Sequence, residues 1–387
     1  VRSDVVPGIG PSFPKVGRIV GEFVRVVAVV GGVVLIVGML SDAVATLIVT
    51  QGSSSFWRPT RIFYTVTWRM TKKVAARLPD RAGEYSLNVY PALSLLGLLV
   101  LWLAGLMVGW SLVYWGLDQR VGGTREFGTL LYYAGTSLVT PVFGSAHGNL
   151  VRTLTLLETL TGLVTIALMI SYLPALYGAY SRRESRLLTL DDPRGGRITP
   201  VRVVQINAPG GDIEMLYRAF GEWEMWTADV LESHVSYPML ALFRSQHVGQ
   251  SWVTALGLLT DSATLASACI EGASSREPYF LSRRGRRAIL EISARLHIPR
   301  SDAPVPWLNP ANFDLAWNGL VEAGLPLRDK ATAWADLQAR ASYGDQLERL
   351  IDYLVAPHGF WGHSAEETVV AEVAEAANAA RRRALGG

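Results

Sequence analysis

Apolar residues are distributed in two ways along this chain. Up to about residue 180 they form long unbroken runs, and beyond it they recur every three or four positions among polar and charged residues. Three runs are long enough to cross a bilayer, since roughly 20 helical residues at about 1.5 Å each cover about 30 Å of hydrocarbon. The first covers residues 23–50, contains "VVAVVGGVVLIVGML", and carries Asp42 as its one charge beyond Arg25. The second, 85–117, has no charged side chain, with Trp102, Trp110, Tyr114 and Trp115 read as interfacial anchors toward its far end. The third, 154–180, carries Glu158 in its first turns and ends at "SRRE".

Between the second and third runs lies "YYAGTSLVTPVFGSAHG", residues 132–148, too short and too rich in Gly, Pro and Ser to cross. Residues 127–139 predict a helix of about three turns entering from the outer face, and 140–147 predict an extended return to it. Non-helical backbone cannot face lipid, because each unpaired N–H or C=O costs several kcal/mol there, so this segment must line a cavity. Span, short re-entrant helix, extended strand and inner span make the pore-loop plan. Four copies about one axis would surround an aqueous path with backbone carbonyls that replace an ion's hydration shell.

The rest of the chain reads as a helical, water-soluble region behind a Gly/Pro-rich linker at 191–200. Apolar spacing predicts helices at about 210–235, 237–245, 250–271, 282–296, 311–323, 329–355 and 365–384, and "VRVVQI" at 201–206 predicts one short strand. The fold class is an all-α membrane protein with three regions. Residues 1–84 hold an N-terminal transmembrane helix and a basic interfacial loop, 85–181 the pore domain, and 182–387 a cytoplasmic helical domain.

Composition agrees with this division: half of the 387 residues are hydrophobic and only 18% are charged, with a mean hydropathy of +0.24. Loop charge sets the direction. Residues 51–84 carry seven Lys or Arg against Asp80 and Glu84, whereas 118–152 carry three against Asp118 and Glu126, so the first loop is inside and the second outside. Arg182 and Arg183 then place the C-terminal region in the cytoplasm, with the protein in the plasma (inner) membrane. By alternation the N-terminus lies outside, although Arg2, Lys15, Arg18 and Arg25 weigh against that step. A cleaved signal peptide ending near Ala43 and Ala45 would reverse the second span, and the apolar run continues past that point through "TLIVT".

The net charge of +3 belongs to membrane flanks, and no nucleic-acid motif is present. One cysteine, Cys269, allows neither an intrachain disulfide nor a Cys-rich metal site. Asp229, Glu232, His234 and His247 lack strict ligand spacing and read as a helix-bundle hydrogen-bond network, just as Trp223, Trp226 and Trp252 read as core. No nucleophile, base and oxyanion set is recognisable, which argues against an enzyme, and no cofactor is expected. Residues 53–79 alternate aromatic and basic side chains, predicting a segment along the inner leaflet that anchors passively or senses anionic lipid.

"LYYAGTSLVTPVFG" and "LLETLTGLVTIALMISYLPALYGAYSRRE" resemble the pore helix, filter and inner helix of bacterial two-span potassium channels of the ion-channel type. "EWEMWTADVLESHVSYPMLALFRSQH" and "SWVTALGLLTDSATLASA" resemble the helical cytoplasmic region of a subfamily with an extra N-terminal span, so the likeness covers most of residues 20–275. It implies a homotetramer that passes a monovalent cation, potassium in the family, through a filter made of Thr140, Pro141, Val142, Phe143, Gly144 and Ser145. It also implies that Glu158 braces the filter's backbone or a pore-helix hydroxyl such as Ser137. Pro174, late in the third run, reads either as a gate hinge or as an ordinary membrane proline.

The filter departs from the family's Thr-Val/Leu-Gly-Tyr-Gly-Asp pattern. Val142 stands where a left-handed glycine is usual, Pro141 removes an N–H, Phe143 lacks a hydroxyl, and Ser145 replaces a carboxylate. His147, at the mouth, would titrate near neutral pH and predicts inhibition by external acid. Two functions follow: a tetrameric cation channel of altered selectivity, or a non-conducting membrane sensor or scaffold that keeps the channel architecture. The ligand of the cytoplasmic region is not legible.

Overall fold

The computed structural model describes residues 14–48, 58–119, 124–140, 148–190, 198–245, 251–272, 276–301, 309–340 and 343–356. Among them the chain is all-helical, with one isolated bridge between Ile270 and Leu327. It divides into two compact units, Val1–Pro174 and Ala175–Gly387.

The first unit contains α1 (Pro14–Leu47), α2 (Pro59–Ala75), α3 (Asp80–Gly116), α4 (Phe127–Val139) and most of α5 (Asn149–Leu187). Helices α1, α3 and α5 are long and apolar enough to cross a membrane. They carry the three expected spans, each longer than the apolar run that announced it. Helices α1 and α3 cross where neither has a side chain: a Cβ on Gly32 would lie 2.6 Å from the Gly109 carbonyl oxygen. Close backbone approach of this kind replaces the hydrophobic drive that lipid removes.

Helix α2 starts with Pro59 at its first turn, where the missing N–H costs nothing. Its N-terminus is capped from α1 rather than from its own sequence, because Asp42 Oδ2 accepts from Thr60 N at 3.0 Å and Thr60 Oγ1 at 2.5 Å. Trp102 Nε1 of α3 donates to the same oxygen at 3.0 Å. Asp42 is therefore a buried cap joining three helices; of the two sequence readings, a snorkelling or an Arg-paired carboxylate, the structure has the second, with Arg58 Nε 4.0 Å from Oδ1. Further along, Thr67 Oγ1 and Tyr90 OH lie 2.8 Å apart, and the Trp68 and Tyr90 rings pack at 5.1 Å, fixing α2 along the first half of α3.

The second unit takes the end of α5 and then α6 (Pro200–Asn207), α7 (Ile213–Ser236), α8 (Trp252–Cys269), α9 (Arg276–Arg295), α10 (Pro310–Glu322), α11 (Lys330–Arg340) and α12 (Gly344–Leu354). Helix α8 is its centre: every residue except Thr254 is buried, with α6, α9, α11 and α12 packed around it. The strand expected at 201–206 is helical instead. Thr199 accepts from Arg202 N at 3.1 Å and Pro200 fills the first turn, so a capped start overrides the β-branched residues. The helix expected at 237–245 is a 3₁₀ turn, Pro238–Leu242, and 329–355 divides into α11 and α12. The helix expected at 365–384 lies outside the described residues.

Candidate functional site

Helix α4 ends as its sequence dictates. A residue before proline is pushed out of the helical region, and Thr140, before Pro141, is extended at φ −138° and ψ 132°. The end of α4 is held against the middle of α5. Thr159 Oγ1 donates to the Ser137 carbonyl at 2.9 Å, filling one of the acceptors that a helix C-terminus leaves open. One turn on, a Cβ at Gly162 would overlap the Leu138 carbonyl oxygen, so only glycine allows this approach. Thr159 and Gly162 lie ten and thirteen residues into α5, which places the end of α4 roughly 15–20 Å along α5 from its first residue.

Above that contact runs a row of polar groups buried between helices. Glu158, fully buried, accepts from Tyr114 OH of α3 at 2.8 Å. Tyr133 OH of α4 pairs with Thr155 Oγ1 at 2.8 Å, and the Tyr114 and Tyr133 rings meet edge to face at 5.7 Å. Trp110 Nε1 donates to Thr161 Oγ1 at 3.2 Å, and that hydroxyl donates to the Glu158 carbonyl at 2.7 Å. Tyr114, Trp110 and Trp102 are thus buried donors to α5 and α1, not interfacial anchors. A buried carboxylate must find donors, so the tyrosine that supplies one is pulled inward.

Ser137 and Glu158 are brought to the same level but are not bonded to one another. Ser137 Oγ and Glu158 Oε1 are buried and without a hydrogen-bond partner among the described residues. Thr140 lies exposed at the end of α4. Pro141, Val142, Phe143, Gly144, Ser145 and His147 lie outside the described residues. Pro174 sits inside α5, which continues helical through it to Leu187.

A second cluster gathers where α5 ends, around a guanidinium that the sequence marks only as half of an "RR" flank. Arg183 is fully buried whereas Arg182 is exposed. Arg183 Nε and Nη2 each meet Glu184 Oε1 at 2.8 Å, and Nη2 also donates to the Phe243 carbonyl at 2.7 Å. Its Nη1 donates to the Leu240 carbonyl at 3.1 Å and to His234 Nε2 at 3.2 Å. Tyr180 and Trp252 lie under the guanidinium with ring centroids at 5.2 and 5.3 Å.

The partners assign the histidine. Val230 O, 2.7 Å from His234 Nδ1, can only accept, and Arg183 can only donate, so His234 is neutral with its proton on Nδ1. Burial, and then the adjacent Arg183 charge, hold it well below the ordinary histidine value. The acids near it go elsewhere: Asp229 pairs with Arg182 at 3.5 Å and Glu232 accepts from Ser236 at 2.8 Å. No group of three or more possible metal ligands occurs among the described residues. Trp223 and Trp226 meet edge to face at 5.7 Å, and Trp226 Nε1 donates to the Arg183 carbonyl at 3.2 Å.

Comparison with protein-family models, with curated proteins and with solved structures returns no match for this chain. What the two clusters can do therefore rests on their chemistry. The first fixes the end of α4 against the middle of α5 and leaves two buried polar atoms with hydrogen-bonding capacity in hand. The second ties the last turns of α5 into α7 and the segment after it.

Proposed function

We propose that this chain is one subunit of a tetrameric pore-loop channel that passes monovalent cations. The observation that carries the reading is the seating of the end of α4 roughly 15–20 Å along α5. Taking the start of α5 at the outer face, α4 stops about halfway through a ~30 Å layer. Seven residues, 141–147, link Thr140 to Gly148, and such a link reaches at most about 25 Å, enough to regain the outer level. A helix C-terminus directed at the centre of the layer carries a partial negative charge, which favours a cation there.

Two further features support the reading. On the side of α5 turned away from α3 and α4, Leu160, Val164, Ala167 and Ser171 are exposed, a face available to line an aqueous path between copies. The buried Arg183 cluster gives the helices that follow α5 a grip on its last turns, through which a signal can move them. Glu158 and Tyr114 hold the pore helix, and Ser137 Oγ and Glu158 Oε1 supply hydrogen bonds to the filter.

The sequence of the filter favours a second reading. A β-branched residue in a left-handed position costs roughly 1–2 kcal/mol or more, so Val142 in four subunits opposes the family's filter backbone. Under that reading the chain is a non-conducting membrane sensor. Cation flux and reversal potential of the purified protein in liposomes, under opposed potassium and sodium gradients, test the pair. The channel reading expects a cation current from the native chain. Its absence under every gradient, with current restored by Val142→Gly, would establish the sensor.

A further inference from the structure

Helix α2 has two adjacent rows of exposed side chains, each at four-residue spacing. One row is basic: Arg61, Arg69 and Lys73, with the half-buried Thr65 at the remaining position and Arg77 continuing it just past the helix end. The other is apolar: Ile62, Val66, Met70 and Val74 are 58, 48, 61 and 50% exposed. The opposite face, with Thr60, Thr67 and Trp68, is the one bound to Asp42 and Tyr90. No Asp or Glu occurs in α2, and none pairs with the four basic residues among the described residues.

The position of α2 decides what can meet these rows. Its first turn is pinned to Asp42 of α1, which Trp102 of α3 also bonds, so it meets two apolar spanning helices, and four residues separate its end from the start of α3. The uncovered face is therefore held at the boundary of the apolar layer. A helix there with charge along one edge of its exposed face and apolar groups along the other fits one surface: acyl chains beside negatively charged headgroups.

We infer that α2 is a docking site for anionic lipid, with the apolar row among the acyl chains and Arg61, Arg69 and Lys73 on the headgroups. This rests on the spans crossing a bilayer and not on whether the pore conducts. The full chain is labelled at Met70→Cys, Cys269 being buried, and reconstituted in vesicles of phosphatidylcholine and phosphatidylglycerol with bromine on the acyl chains of one lipid or the other. Quenching per brominated lipid is expected to be about threefold or more stronger from the anionic lipid, against the roughly fivefold that one basic residue at an anionic surface supplies.

That preference falls to about one in Arg61→Gln/Arg69→Gln/Lys73→Gln and persists in Arg61→Lys/Arg69→Lys. Equal quenching by both lipids in the native sequence would overturn the assignment. So would a label that neither lipid quenches, which would mean that another copy of the chain covers the row. Loss of the preference on adding inorganic phosphate at constant ionic strength would also overturn it, assigning the basic row to a soluble anion.

Discussion

Glu158 and Arg183 are both buried ionisable side chains on α5, and their surroundings differ in one respect that bears on function. All three nitrogens of Arg183 have acceptors and two aromatic ring centroids lie 5.2 and 5.3 Å from the guanidinium, although Oε2 of its partner Glu184 is buried without a hydrogen-bond partner among the described residues. Glu158 is half satisfied: Tyr114 occupies one oxygen, and the other has no partner among the described residues. A guanidinium whose donors are all taken is fixed in a single arrangement, and a spare acceptor beside the end of α4 is capacity held for another group. The C-terminal end of α5 is accordingly built as an anchor, and the part beside α4 as a support for something further.

The largest effect that can break this contrast comes from Arg183→Met, which leaves Glu184 and two carbonyls buried without their donor. Removing one partner of a buried pair costs about 3–5 kcal/mol, so thermal unfolding of the full chain in detergent is expected to show a large fall in Tm. Arg183→Lys, which keeps the charge and loses the planar fork, falls between Arg183→Met and the native chain. If Arg183→Met melts like the native protein, the cluster is not an anchor.

A smaller loss is expected at the other end. Tyr114→Phe leaves Glu158 Oε2 buried without its donor, about 1–3 kcal/mol, and should lower the Tm less than Arg183→Met. Glu158→Gln keeps an acceptor for Tyr114 and should cost less again, while altering cation flux if the free oxygen serves the filter. Unchanged flux and selectivity in Glu158→Gln would remove that role.

The smallest effect is a pH dependence in the second unit, where two groups oppose one another. Burial raises Asp261 to about 7, with Tyr343 donating to it and Glu348 adding to the rise. Native Asp261 thus prefers its proton, and its contribution, present in acid, is lost as pH rises through about 7. His234, held below its ordinary value by burial and Arg183, contributes above about pH 6.5 and loses that contribution as pH falls. Stability of the native chain should be nearly flat from about pH 5 to 6.5. Asp261→Asn should make it fall in acid and His234→Gln should make it fall with rising pH, both read from melting curves; parallel curves for all three would contradict the assignment.

Much of the frame was legible because it follows from local rules. Residues 127–139 form the expected helix because Pro141 ends it, and the three apolar runs form helices because lipid allows little else. What pairs with what was not legible. Tyr114 and Trp102 carry the usual mark of interfacial anchors, and only the crossing of α3 with α1 and α5 turns their donors toward Asp42 and Glu158. Arg182 and Arg183 are indistinguishable in sequence, yet helical rotation of 100° per residue exposes one and buries the other. The β-branched residues at 201–206 suggested a strand, and a capped start with proline in the first turn decided for helix.

The central claim is that the chain enters the apolar layer along α4 and leaves by the same face. Single-cysteine chains at Thr124, Ser145 and Thr189, with Cys269 buried, can be exposed in sealed vesicles to a bulky membrane-impermeant maleimide on one side at a time. The account predicts that Thr124→Cys and Ser145→Cys react from one face and Thr189→Cys from the other. Reaction of Ser145→Cys from the face that reaches Thr189→Cys would mean that the chain crosses between α4 and α5, and the pore-loop reading would fail.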